Sequence, residues 1–71
     1  MRDKHIVIKE LQEEKQALND KLTRLTKFLL GQMVEPKIPT RQLELLKRQE
    51  ELMLAYVNVL GFRIKNLNEQ S

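Results

Sequence analysis

Reading the chain from Thr40 to Leu67 in alternating steps of three and four gives Leu43, Leu46, Glu50, Met53, Val57, Leu60, Ile64 and Leu67. One polar residue, Glu50, interrupts this seam, and the spacing predicts a long helix packed along another helix. A second row, Leu45, Gln49, Leu52, Tyr56, Val59 and Arg63, runs beside the first. Together the rows form a stripe wider than one partner helix covers, so the surplus must bury something else, first of all a second copy of the chain.

The same spacing returns upstream in Ile8, Leu11, Lys15, Leu18, Leu22, Leu25 and Leu29, again with one polar member. It predicts a first helix over about residues 3–30, capped at its start by the Asp3 carboxylate, with Gly31 as a left-handed C-terminal residue. A loop over 31–39 follows, in which Pro36 and Pro39 exclude helix. Met33, Val34 and Ile38 are apolar enough to fold back over the open end of a hairpin. The second helix is expected over about 40–67, with Thr40 as its N-cap or Pro39 as its first helical residue, and with residues from Asn68 onward frayed. Gly61 lies inside it at a cost of about 1 kcal/mol relative to alanine; it either marks the close approach of another backbone or is simply tolerated. A loop of about eight residues between helices of similar length makes them antiparallel neighbours. Counting outward from the turn pairs Leu29 with Leu43, Leu25 with Leu46, Leu22 with Glu50, Leu18 with Met53, and Leu11 with Leu60, and sets Lys15 beside Tyr56 and Val57. The fold class is all-α: residues 1–71 as one antiparallel, coiled-coil-like two-helix hairpin that assembles into a homo-oligomeric helical bundle.

Size sharpens the expectation of assembly. With 71 residues, a single core seldom supplies more than roughly 3–5 kcal/mol. There is no cysteine and only one histidine, His5, so neither disulfides nor a metal centre is expected to staple the fold. Thirteen Lys+Arg against ten Asp+Glu give a net charge of +3 with mixed signs, which disfavours a dedicated duplex-DNA binder. No apolar run reaches the ~18 residues of a membrane span, and the opening residues are too briefly hydrophobic for a secretory signal. A soluble cytoplasmic protein without cofactors or membrane contact is expected.

No nucleophile–base pair, carboxylate pair in a cleft or metal cluster is visible, so catalysis is not expected. Glu13-Glu14 and Glu50-Glu51 read as solvated faces. The informative residues are polar groups within or beside the seams. Lys15 either snorkels past the hairpin edge, pairing with Glu14 or Glu50, or holds a buried anion. Glu50 is expected to pair with Lys21 or Lys47. Gln49, Tyr56 and Arg63, seven apart, form either the register keys of an inter-subunit seam or the lining of a pocket, with an aromatic ring for a base and a guanidinium for a phosphate. Lys21, Arg24 and Lys27 approach the C-terminal end of the first helix, where its dipole favours cations; with only Phe28 as an aromatic neighbour they make a weak nucleic-acid stripe.

Several short motifs carry a resemblance over about residues 14–64: Glu14-Lys15, Leu18, Lys21-Leu22, Leu25 and Phe28, then Leu45-Leu46-Lys47-Arg48-Gln49, Met53, Tyr56 and Leu60-Gly61-Phe62-Arg63-Ile64. In these the chain resembles a group of small tailed-phage proteins built as helical hairpins. It departs from them at Ile6-Val7-Ile8, where basic or aromatic residues are common, and at Phe62, where an acid usually precedes the arginine. The architecture is also similar to phage sponge proteins that counter bacterial CBASS or Thoeris defence. That similarity implies a non-catalytic oligomer sequestering a small phosphorylated nucleotide signal at subunit junctions. It fits the polar residues of the seams, of which Arg63 and Lys15 are expected to hold phosphates, Tyr56 to stack on a base, and Gln49 or Lys21 to supply polar contacts. The alternative is a structural or regulatory protein-interaction module with no small ligand; nucleic-acid binding ranks third.

Overall fold

The computed structural model describes residues 3–70. They form two helices, α1 (Lys4–Val34) and α2 (Thr40–Glu69), packed antiparallel along their length. The hairpin measures 51 × 18 × 15 Å, close to the ~46 Å that a helix of this length spans at 1.5 Å per residue.

Asp3 caps α1 as expected. Its backbone is extended, and its carboxylate accepts from the His5 N–H at 2.7 Å. The other end of α1 departs from expectation. Gly31 is helical, no described residue has a positive φ, and the helix continues to Val34. Pro36 stops it by forcing Glu35 out of the helical region (φ −138°, ψ 86°). The connection therefore shortens to residues 35–39. Its anchor is Gln32, which is buried and whose Oε1 accepts from the N–H groups of Lys37 (2.8 Å) and Ile38 (3.2 Å). Met33 and Val34 do not cover the open end; they are 77% and 88% exposed. Continuing the helix past Gly31 turns positions 29 and 32 inward and carries 33 and 34 outward.

Pro39 occupies the cap position of α2 without a side-chain bond, and its carbonyl accepts from the Leu43 N–H at 3.0 Å. Thr40 is thus the first helical residue, neither the expected cap nor preceded by a helical proline, because Pro39 is extended (φ −59°, ψ 146°). At the far end α2 includes Asn68 and Glu69, and the Lys4 ammonium donates to the Gln70 carbonyl, tying the two ends of the described chain together.

The core is thin. Ile8, Leu11, Leu22 and Leu29 of α1 and Val57 and Leu60 of α2 are buried, and Leu60 alone has no exposed surface. The remaining seam leucines, Met53 and Ile64 are half-buried. Glu50, the polar seam member of α2, forms no ion pair with Lys21 or Lys47; its carboxylate accepts from the Thr26 hydroxyl at 2.7 Å. Thr26 is half-buried and short enough to end at the seam, whereas a lysine stem runs past it into water. The second apolar row stays uncovered: Leu45, Leu52 and Val59 are each about half exposed. No described helix is long and apolar enough to cross a membrane.

Candidate functional site

A two-helix hairpin has two broad faces, and the polar residues of interest divide between them. On one face Tyr56 reaches from α2 across to α1, where its hydroxyl donates to both oxygens of Glu14 at 3.0 and 3.3 Å. This bond holds the ring across that face. The hydrogen bond to the carboxylate, then partial desolvation and the charge of Glu14, raise the tyrosine pKa above its usual value; the positive charge of Arg63 partly offsets the rise.

Leu45, Arg48, Gln49, Leu52, Met53 and Tyr56 line a shallow, mainly apolar groove on this tyrosine face. The Gln49 amide rests 3.9 Å from the Met53 sulfur, and Arg48 is engaged by Glu51 at 3.1 Å. Arg63 lies two turns beyond Tyr56 and Lys21 two turns beyond Glu14, which keeps both on this face. Neither forms a hydrogen bond or ion pair with another described residue.

The opposite face is built differently. Gln12, Lys15, Gln16 and Asn19 of α1 and Leu54, Val57, Asn58 and Ile64 of α2 line a cleft of about 640 Å³. Lys15 shares this cleft with Val57, as its seam position predicts, but is not beside Tyr56. Its side chain crosses to α2 at Gly61: a methyl built on Gly61 would lie 3.3 Å from the Lys15 Nζ and 3.7 Å from its Cε. The close approach at this glycine is therefore made by a side chain and not by another backbone. Lys15 is bonded to neither Glu14, which Tyr56 engages, nor Glu50, which Thr26 engages.

Of the five expected site residues, the hairpin thus groups Lys21, Gln49, Tyr56 and Arg63 on one face and places Lys15 on the other. Glu14, read from sequence as part of a solvated pair, turns out to orient Tyr56. The carboxamides around Lys15 also went unread, although Gln12, Gln16 and Asn19 already carry the three- and four-residue spacing of a single helix face. Of the departures at Ile6, Val7 and Ile8, the last two extend the hydrophobic contact, with Ile8 buried and Val7 half-buried, while Ile6 stays half exposed. Among the described residues no group of His, Cys, Asp or Glu could hold a metal ion.

Fold and side chains together define a small helical hairpin with a ligand-sized groove on each face and a half-exposed apolar stripe along α2. The chain belongs to the Sequestin family, whose model matches residues 6–66 and whose name denotes sequestration. Comparison with curated proteins and with solved structures returned no match.

Proposed function

We propose that this hairpin assembles into a homo-oligomer through its tyrosine face and there sequesters, without converting it, a small phosphorylated nucleotide signal. Such a signal is of the cyclic oligonucleotide or cyclic ADP-ribose type used in bacterial defence, and the protein acts as a phage-encoded sponge in the host cytoplasm. The observation that carries this reading is the Tyr56–Glu14 hydrogen bond. It fixes an aromatic ring, 45% exposed, in a stripe of uncovered aliphatic side chains and close to Arg63. A fixed ring stacks on a base with little loss of side-chain entropy, and a guanidinium without an ion-pair partner grips phosphate in a bidentate way. Gln49 and Lys21 supply further polar contacts. Lys15 of the same hairpin lies on the opposite face, so it reaches such a ligand only from a neighbouring copy.

The area is adequate for assembly: a face 51 Å long and up to 18 Å wide accommodates the ~800 Å² per partner of a stable interface. The family name supports sequestration, and a binder of this kind needs no catalytic group. Thermal melting with a panel of cyclic dinucleotides and cyclic ADP-ribose isomers tests the reading. A ligand bound only by the folded state stabilises it by about 2.7 kcal/mol at a hundredfold excess over Kd, and chromatography of the released ligand should recover it unchanged. No shift with any of the panel, alongside a stoichiometric protein partner, would instead assign the stripe to protein recognition.

A further inference from the structure

Lys15 is the polar break in the seam of α1, and its surroundings differ from those of a snorkelling lysine. A snorkelling ammonium reaches past the helix edge to water or to a carboxylate. Here the half-buried side chain crosses to α2 and ends against Gly61. No hydrogen bond or ion pair joins it to another described residue. Both acidic groups that the sequence offers as partners are occupied elsewhere: Glu14 receives the Tyr56 hydroxyl on the far face, and Glu50 receives the Thr26 hydroxyl.

Around this ammonium the cleft has a mixed lining. Leu54, Val57 and Ile64 give it an apolar wall, and Gln12, Gln16, Asn19 and Asn58 contribute four carboxamides. The Gln16 amide is steadied by Asp20 at 2.9 Å. Carboxamides carry donors and acceptors side by side, the combination that matches the hydrogen-bonding edge of a nucleobase. A cation without a partner supplies the complement to a phosphate. At about 640 Å³, the cleft falls within the ~300–1,000 Å³ of small-molecule sites.

We infer that the cleft between α1 and α2 on the Gly61 face is a nucleoside-phosphate seat within a single hairpin: Lys15 contacts the phosphate, and the carboxamides of Gln12, Gln16 and Asn58 contact the base. Gly61 is the residue that admits the lysine stem, since a side chain there would displace the ammonium. The inference takes its ligand class from the reading above but not its location, and it requires no contact between subunits.

Two-dimensional NMR of the full chain, titrated with adenosine 5′-diphosphate at constant ionic strength, tests it. The expected shifts fall on the Gly61 backbone amide and on the side-chain amides of Gln16 and Asn58. Lys15→Gln should weaken binding at least tenfold, Gly61→Ala severalfold, and Arg41→Gln, at an exposed ion pair with Glu44 outside the cleft, should leave it unchanged, with helicity by circular dichroism confirming that each variant folds. Shifts confined to Tyr56, Gln49 and Arg63, lost in Arg63→Gln and kept in Lys15→Gln, would overturn the seat while upholding the tyrosine-face site. An absence of shifts with this probe, while a cyclic nucleotide still raises the melting temperature of both the native chain and Lys15→Gln, would likewise remove this seat alone.

Discussion

The hydroxyl of Tyr56 donates to the carboxylate of Glu14, 42 positions away in sequence, at 3.0 Å. This bond makes the two helices share one polar cross-link on a face that is otherwise apolar along α2, and it decides where the ring points. Ionising the phenol would set a phenolate against a carboxylate, so the folded chain resists that ionisation.

Tyr56 is the sole tyrosine and there is no tryptophan, so phenolate absorbance reports this group alone. Its titration midpoint should lie above the usual value of about 10. Because the pKa is raised on folding, any stabilisation from the bond is present below pH ~10 and is lost as pH rises through the folded-state pKa. Glu14→Gln removes the carboxylate and should bring the midpoint back down. Identical midpoints in the two proteins would show that Tyr56 does not rest on Glu14 in solution.

Leu52 and Val59 flank Tyr56 on the uncovered row and are each about half exposed. If a second copy covers them, burying each side chain contributes up to roughly 1.5–3 kcal/mol, and a charge at either place must be desolvated. Leu52→Glu and Val59→Glu should each weaken self-association at least tenfold by sedimentation, shifting the mass toward the 8.5 kDa of one chain. Sedimentation of the native protein as an 8.5 kDa species throughout the micromolar range would reject the assembly outright.

The two seams of this fold are plain in the sequence because helix packing imposes a strict three-and-four spacing, and every buried hydrophobic residue among those described belongs to one of them. Helix ends were less legible. Gly31 carries the residue type of a left-handed stop, yet nothing forces a stop until Pro36 acts on Glu35, and Gln32 supplies the loop's hydrogen bonds from inside the last turn. The site was legible as a set of residue types but not as a grouping. Lys15 and Tyr56 are near neighbours in register, and only the direction of each side chain around its helix sends one to each face. Glu14 was hidden for the same reason: a carboxylate on a charged helix gains a role only through what lies opposite.

Gln32 offers a direct check on the turn. Its side-chain oxygen is the acceptor for the N–H groups of both Lys37 and Ile38. Gln32→Ala leaves these donors without their protein acceptor, at a cost of about 1–3 kcal/mol. Gln32→Glu keeps an acceptor oxygen and should cost less. Urea unfolding at one fixed protein concentration separates the two. An alanine variant with the native midpoint would mean that water satisfies the turn equally well.

Gly61 separates stability from binding. Replacing a glycine in a helix interior by alanine stabilises the helix by about 1 kcal/mol, and among the described residues the only non-local atoms near a new methyl are the flexible end of Lys15, the nearest at 3.3 Å. That end yields by swinging outward, so the substitution should retain most of the helical gain and raise the melting temperature. The same swing takes the ammonium away from the carboxamide cleft, so adenosine 5′-diphosphate should bind the more stable protein less well. Lys15→Met provides the control: it removes the charge and nearly all of the steric conflict, so Gly61→Ala in that background should stabilise by the full helical increment. If Gly61→Ala instead lowers the melting temperature in the native background but not beside Lys15→Met, the ammonium is held where it lies more firmly than its lack of protein partners accounts for.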